Sequence, residues 1–261
     1  MRILCIGDIM GEPGRKAVRH ILPKLIKAEK LDFVVANGEN LAGGFGLTED
    51  GCKEMFEAGV DVLTGGNHSW DKKDIIPFMK QEPRILRPAN YTSPDGAGHY
   101  LATSRAGAKV GVVNVMGRVF MYPLENPFTV AMELLRQLRK DTRILIVDIH
   151  AEATSEKQAM GWHLNGHASV VFGTHTHVQT ADERIFPGGT AFITDAGLTG
   201  PLDSVIGMKK EFAIDRFLTG MPTRLEVAKG NTKLQALLVD IDDESGRATA
   251  VKRIQEPYVP Q

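Results

Sequence analysis

Thiols are scarce in this chain: Cys5 and Cys52 are the only two cysteines among 261 residues. Neither has a partner at metal-ligand spacing. A thiolate zinc site and a disulfide framework are both absent from the pattern, which fits two buried reduced thiols in a reducing compartment. Long apolar runs are missing as well. No stretch approaches the ~20 residues of a membrane span, and Met1–Asp8 meets an acidic residue too early for a signal h-region. The expectation is a soluble cytoplasmic protein. There is no long basic run, and the net charge is −1. That speaks against a broad nucleic-acid surface or an anionic membrane as partner. Any attraction for phosphate must therefore be local, and bound metal ions can supply it. Repeats, low-complexity tracts and linkers are also lacking, so residues 1–261 read as one domain.

What is present is an alternation of strand-like and helix-like segments. Ile3–Gly7, Phe33–Ala36 and Val60–Thr64 read as strands. Between and after them lie a helix over Arg15–Lys27, a helix capped by Thr48 and a helix near Lys72–Lys80. This βαβαβ opening predicts a parallel sheet. Pro83–Gly98 reads as a loop, His99–Ser104 and Lys109–Val115 as an antiparallel pair, and Phe128–Arg139 as a helix. Arg143–His150, Ser169–Gly173 and Thr190–Thr194 follow as strands. Leu234–Ile241 and Ala248–Ile254 form a hairpin around Asp242–Gly246. The pattern suggests a parallel half followed by a more antiparallel half, packed as two sheets with helices outside.

Five of these apolar runs end in metal-binding residue types: Gly7-Asp8, Gly38-Glu39-Asn40, Gly65-Gly66-Asn67-His68, Asp148-Ile149-His150 and Gly173-Thr174-His175-Thr176-His177. Open α/β sheets bind ligands at one strand edge. Two carboxylates, two amides and three imidazoles are too many donors for one metal and enough for two, with His68 to spare. Two metals ~3.5–4 Å apart activate a water and clamp a phosphate, which is what phosphoester hydrolysis needs. The candidate ligands are Asp8, Glu39, Asn40, Asn67, His150, His175 and His177. A donor set without thiolate suits manganese, iron or zinc. Two divalent ions, two carboxylates and one hydroxide leave the site about +1, attractive to a phosphodiester. The glycines before each ligand are expected to permit unusual backbone angles and close approach. Strand alternation is expected to put His175 and His177 on one side of an extended segment. Gly7–Ala17 lacks the Gly-Lys-Ser/Thr ending of a nucleotide-phosphate loop, and Gly14-Arg15-Lys16 reads as a helix opening instead.

These motifs resemble those of the calcineurin-like metallophosphoesterases. Gly66-Asn67-His68 matches their Gly-Asn-His motif, His150 their isolated histidine, and Gly173–His177 their Gly-His-x-His motif with one extra residue. Asp8-Ile9-Met10 lacks the usual third-position histidine, and Gly38-Glu39-Asn40 replaces the usual Gly-Asp. That combination is similar to a narrower bacterial group, the YmdB-type phosphodiesterases. The likeness runs over nearly the whole chain, including Ala36–Asn40, His150–Lys157 and Thr194–Pro201. It implies an α/β fold of the four-layer α-β-β-α sandwich type with mixed sheets. It also implies a two-metal centre, iron or manganese with zinc possible, and hydrolysis of 2′,3′-cyclic nucleotides, with 3′,5′-cyclic AMP a second candidate. Glu39 would bridge the ions. Asp8, Asn40 and His177 would hold one, and Asn67, His150 and His175 the other. Hydroxide held by the metals would attack, and His68 would act as the catalytic proton donor or stabilise the phosphoryl charge. A small-molecule phosphodiester substrate and self-association into a homo-oligomer follow from the same resemblance.

Two readings of another class stay open: a metal-containing nucleotide sensor without turnover, and a phosphomonoesterase on the same scaffold. His20, His99, His163 and His167 fit no ligand motif. Asp195–Gly207 is a candidate pocket border or an ordinary connection. Phe120, Met121 and Tyr122 either stack on a base or pack within their loop.

Overall fold

Residues alternate along the first strand, β1 (Arg2–Ile6): Ile3 and Cys5 face one apolar layer, Leu4 and Ile6 another. Both faces are covered, as a strand of uninterrupted apolar residues requires. The computed structural model describes residues 1–93 and 95–259. Within them, β3 (Phe33–Asn37) repeats the pattern, with Phe33 and Val35 on one side and Val34 and Ala36 on the other. The outer layer is filled by Val18, Ile21 and Leu22 of helix α1 (Gly11–Ala28), Met55 of α2 (Glu49–Ala58) and Met79 of α3 (Ile76–Gln81). Thr48 caps α2 by accepting from Gly51 N, and Gly59 ends it at φ 109°.

The inner layer joins a second sheet. Val112 of β6 (Lys109–Met116), Ile146 of β7 (Leu145–His150) and Phe172 of β8 (Val170–Thr174) meet the inner side chains of β1 and β3. Their outward neighbours Val113, Val147 and Val171 pack under α4 (Pro127–Leu138) and α5 (Thr154–His163). The layers therefore run helix, sheet, sheet, helix, the four-layer α/β sandwich expected. The loop expected over Pro83–Gly98 spans position 94, which lies outside the described residues.

The division into a parallel and an antiparallel half needs correction. The second sheet runs β5 (His99–Thr103), β6, β7, β8, β10 (Ala191–Ile193), β9 (Arg184–Ile185), and its four central strands are all parallel. The antiparallel C-terminal strands β12 (Thr232–Ile241) and β13 (Ala248–Pro257) return instead to the first sheet, where β12 lies against β1. There β1, β3 and β4 (Val62–Thr64) are parallel, and β2 (Asp8–Ile9) pairs with β11 (Leu198–Pro201). An apolar pattern reports burial of a strand but not its neighbour, so pairing across more than 200 residues was not readable.

Helix positions differ at two more places. The first helix begins at Gly11, four residues before the expected Arg15, because Pro13 is tolerated in a first turn. Helices α5 and α6 (Lys210–Thr219) have no clear apolar stripe. The buried face of α5 carries Glu156 and Lys157, charges that mask a helical pattern. Among the described residues, no helix is long and apolar enough to cross a membrane.

Candidate metal centre

The parallel strands of both sheets deliver their C-terminal ends to one place. Asp8 follows β1, Glu39 and Asn40 follow β3, Asn67 and His68 follow β4, His150 ends β7, and His175 and His177 follow β8. All five clusters are brought together there. Glu39, His150 and His175 form one group, and Asp8, Glu39 and His177 another, with ligand atoms within 4.8 Å of one another in each. Glu39 is common to both. Asn67 Oδ1 lies 3.1 Å from His150 Nε2, and Asn40 Nδ2 lies 3.3 Å from His177 Nε2.

Each imidazole is tethered through the nitrogen that faces away from this convergence. His177 Nδ1 donates to the Ile206 carbonyl at 2.9 Å. His150 Nδ1 lies 2.9 Å from Thr174 Oγ1, whose own proton goes to Asp148 Oδ1 at 2.7 Å. His175 Nε2 sits 3.1 Å from Glu152 Oε2. Such tethers fix the ring and leave the other nitrogen free to act as a ligand. His68 sits at the rim. Its Nδ1 donates to Asp71 Oδ2 at 2.8 Å, and its backbone N–H donates to Glu39 Oε2 at 3.1 Å.

The electrostatics are those of a buried cluster of interacting carboxylates and imidazoles that could hold cations. Asp8, Glu39 and His150 are fully buried or nearly so. Burial pushes the Asp8 carboxyl up, but His177 and His150 together outweigh it and hold it below the ordinary range. Burial disfavours a charged His177, yet Asp8 and the Ile206 carbonyl push its pKa up to about 9. His175 moves the other way, lowered to about 4 by burial and by His150. Asp8 Oδ1 is buried without a hydrogen-bond partner. An orphaned buried carboxylate oxygen within a convergent donor group suits a candidate metal ligand. The donor set, hard oxygen with imidazole, fits Mn, Fe or Zn.

Two expectations about local geometry are corrected. None of Gly7, Gly38, Gly65, Gly66 and Gly173 has positive φ, so their role is close approach. A Cβ on Gly66 would stand 2.3 Å from both Glu39 Oε2 and His150 Nε2, and one on Gly173 would stand 1.8 Å from the Thr194 carbonyl oxygen. The unusual angles fall on the candidate ligands instead: His175 has φ 92° and His177 φ 62°. The two rings are therefore placed by a left-handed bend past the end of β8, which turns them toward different donor groups. Left-handed non-glycine residues cost of order 1–3 kcal/mol each and persist where the surroundings hold them.

That surrounding structure was not foreseen. Lys157 Nζ and Asp195 Oδ2 form a buried ion pair at 2.7 Å, and both bond Thr176, the residue between the two histidines. Asp148, two residues before His150, accepts from Thr64, Thr174 and Asn37. Burial pushes its pKa up to about 6, against His150 and those three hydrogen bonds. The signal for both was a charged residue inside an apolar strand or a helix face. The expected pocket border does include Ile206, which lines a cavity of about 100 Å³ with His68, His175 and His177. Phe120, Met121 and Tyr122 line a second cavity, of about 360 Å³, with Asn67 and His175.

With this geometry in place, comparison with known proteins is specific. The family model described as YmdB-like protein matches residues 4–254. A 2′,3′-cyclic-nucleotide 2′-phosphodiesterase of Bacillus subtilis is 48% identical over 97% of this chain and 96% of its own. A crystal structure from Thermus thermophilus superposes with a TM-score of 0.91 at 40% identity, covering 98% of this chain and 99% of the other. A phosphatase structure from Mycoplasma pneumoniae gives 0.92 at 34% identity, covering 98% and 93%. The resemblance read from the motifs thus holds along the chain's length, and the chain belongs to the YmdB-like family.

Proposed function

We propose that this phosphoester hydrolase is a two-metal phosphodiesterase acting on cyclic nucleotides. The observation that carries the reading is the pair of donor groups sharing Glu39. In this reading Glu39 would be shared by the two ions, with Asp8, Asn40 and His177 available to hold one and Asn67, His150 and His175 the other. A half-turn of the Asn40 amide presents its oxygen where the nitrogen now lies, since the amide offers a donor at one end and an acceptor at the other. The metals, when bound, supply charge neutralisation and an acidified water. Iron or manganese is the first choice, and zinc is compatible.

The chain's own groups do the rest. Asn67 and the three tethered imidazoles are held ready to take the ions, so little reorganisation would be needed on binding. His68 is fixed through Nδ1 by Asp71, which leaves Nε2 of the imidazolium form as the atom that would pass a proton to the departing oxygen, the ring returning to its neutral Nδ1–H form. The substrate class comes from the Bacillus subtilis relative's name. Self-association belongs to the same reading and rests on the family resemblance.

The deciding experiment pairs metal analysis of the purified protein with hydrolysis of 2′,3′-cyclic AMP before and after chelation. About two metals per chain and chelator-sensitive cleavage are expected. Metal without cleavage would move the reading to a nucleotide sensor. Cleavage of a monoester in preference to the diester would move it to a phosphatase, the name borne by the Mycoplasma pneumoniae structure. No metal after reconstitution would refute the centre itself.

A further inference from the structure

Apolar aromatic rings on a surface usually find cover, and two rings beside the metal centre do not. Phe120 is 89% exposed and Tyr122 58% exposed. They line the cavity of about 360 Å³ whose other wall is made by Asn67 and His175. The backbone that carries them is braced. Gly117 N donates to the carbonyl of His150, itself a candidate ligand, at 3.0 Å. The buried Glu156 carboxylate accepts from Arg118 N at 3.0 Å and Val119 N at 3.2 Å. Asn90 bonds both Met116 N and Met116 O on one side and Glu125 O on the other. Phe120 itself is held at φ 62°, a left-handed angle rare for a bulky residue.

We infer that Phe120 and Tyr122 form a stacking platform for the nucleobase of the substrate, resting on the cyclic-nucleotide reading of the adjoining centre. Three features point the same way. The rings share a cavity with two candidate ligands, so a nucleotide whose phosphate sits at the centre can reach that cavity with its base. A braced loop presents the backbone that carries the rings already ordered, which lowers the entropic cost of stacking. Stacking tolerates any base because every base has a π face. The platform therefore predicts preference for nucleotides over base-free diesters and only weak discrimination among bases.

The test measures kcat/KM of Phe120→Ala and Tyr122→Ala on 2′,3′-cyclic AMP and on methyl riboside 2,3-cyclic phosphate, which lacks the base. The nucleotide preference of the wild type is expected to fall about tenfold in each variant, mainly through KM. Phe120→Trp should restore it, which a merely structural role would not allow. An unchanged preference, whether both substrates suffer equally or neither does, overturns the platform. Adenosine 3′-monophosphate, titrated calorimetrically into wild type and Phe120→Ala, reads the same site without turnover. A wild-type protein that cleaves neither diester but loses about tenfold in this affinity on substitution refutes the phosphodiesterase reading and keeps the platform. Equal affinity in the two proteins, or none in either, refutes the platform.

Discussion

The two sheet edges that meet at the centre contribute opposite chemistry. The first edge supplies oxygen donors: Asp8, Glu39, Asn40 and Asn67. The second supplies only imidazoles: His150, His175 and His177. Each donor group draws on both edges. Neither sheet alone holds a site. The layer of Ile3, Cys5, Phe33 and Val35 against Val112, Ile146 and Phe172 brings the edges into register, and the centre is a consequence of that packing. The edges also differ in how side chains are fixed. On the first, backbone N–H groups do much of the holding: Glu39 Oε2 accepts from His68 N, and Asp8 Oδ2 accepts from His175 N. On the second, each ring has its own side-chain or carbonyl tether.

The sharpest break of this comparison is at the residue common to both groups. Glu39→Ala is expected to remove both metals and all measurable cleavage. His177→Ala, which touches only one group, is expected to leave about one metal per chain. Metal analysis by mass spectrometry on the two variants reads the difference directly. Equal metal content in the two would mean that Glu39 does not bridge.

A smaller effect is expected at His68, which stands on the first edge without belonging to its donor set. His68→Ala should keep the metal content of the wild type and lower kcat by ~10²–10⁴-fold. The loss should be largest for substrates with poor leaving groups, where proton donation matters most. Loss of metal would place His68 among the ligands. An unchanged kcat would remove it from the chemistry.

How far these two edges could be read in advance differs in the same way. The first is legible because short glycine-rich breaks after Ile6, Asn37 and Thr64 each end in an acid or amide. The histidines of the second are legible by type but not by geometry. Strand alternation assigns His175 and His177 to one side, whereas the bend at φ 92° and φ 62° sends them to different groups. The four layers follow from apolar runs long enough to be covered on both faces. The return of β12 to β1 does not, because a buried strand carries no label for its neighbour. Least legible are the braces. Lys157 interrupts the apolar face of α5, so the residue that supports the site is also the one that hides its helix.

That brace carries the last prediction. Lys157 and Asp195 are each almost wholly buried, with 2.7 Å between Nζ and Oδ2. Removing one partner leaves the other charge without compensation, so Lys157→Met is expected to destabilise the fold by about 3–5 kcal/mol. Lys157→Met combined with Asp195→Leu replaces the pair by apolar volume and should recover most of that loss in a denaturant titration. The metal site should not recover with it. Asp195 also accepts from Thr176 N at 3.1 Å, and Thr176 is what keeps two left-handed histidines in place. Metal affinity of the double variant is therefore expected to stay ~10–100-fold below wild type, the usual cost of losing support behind a ligand. Stability and affinity restored together would show that the bend holds itself. The second edge would then need no more bracing than the first.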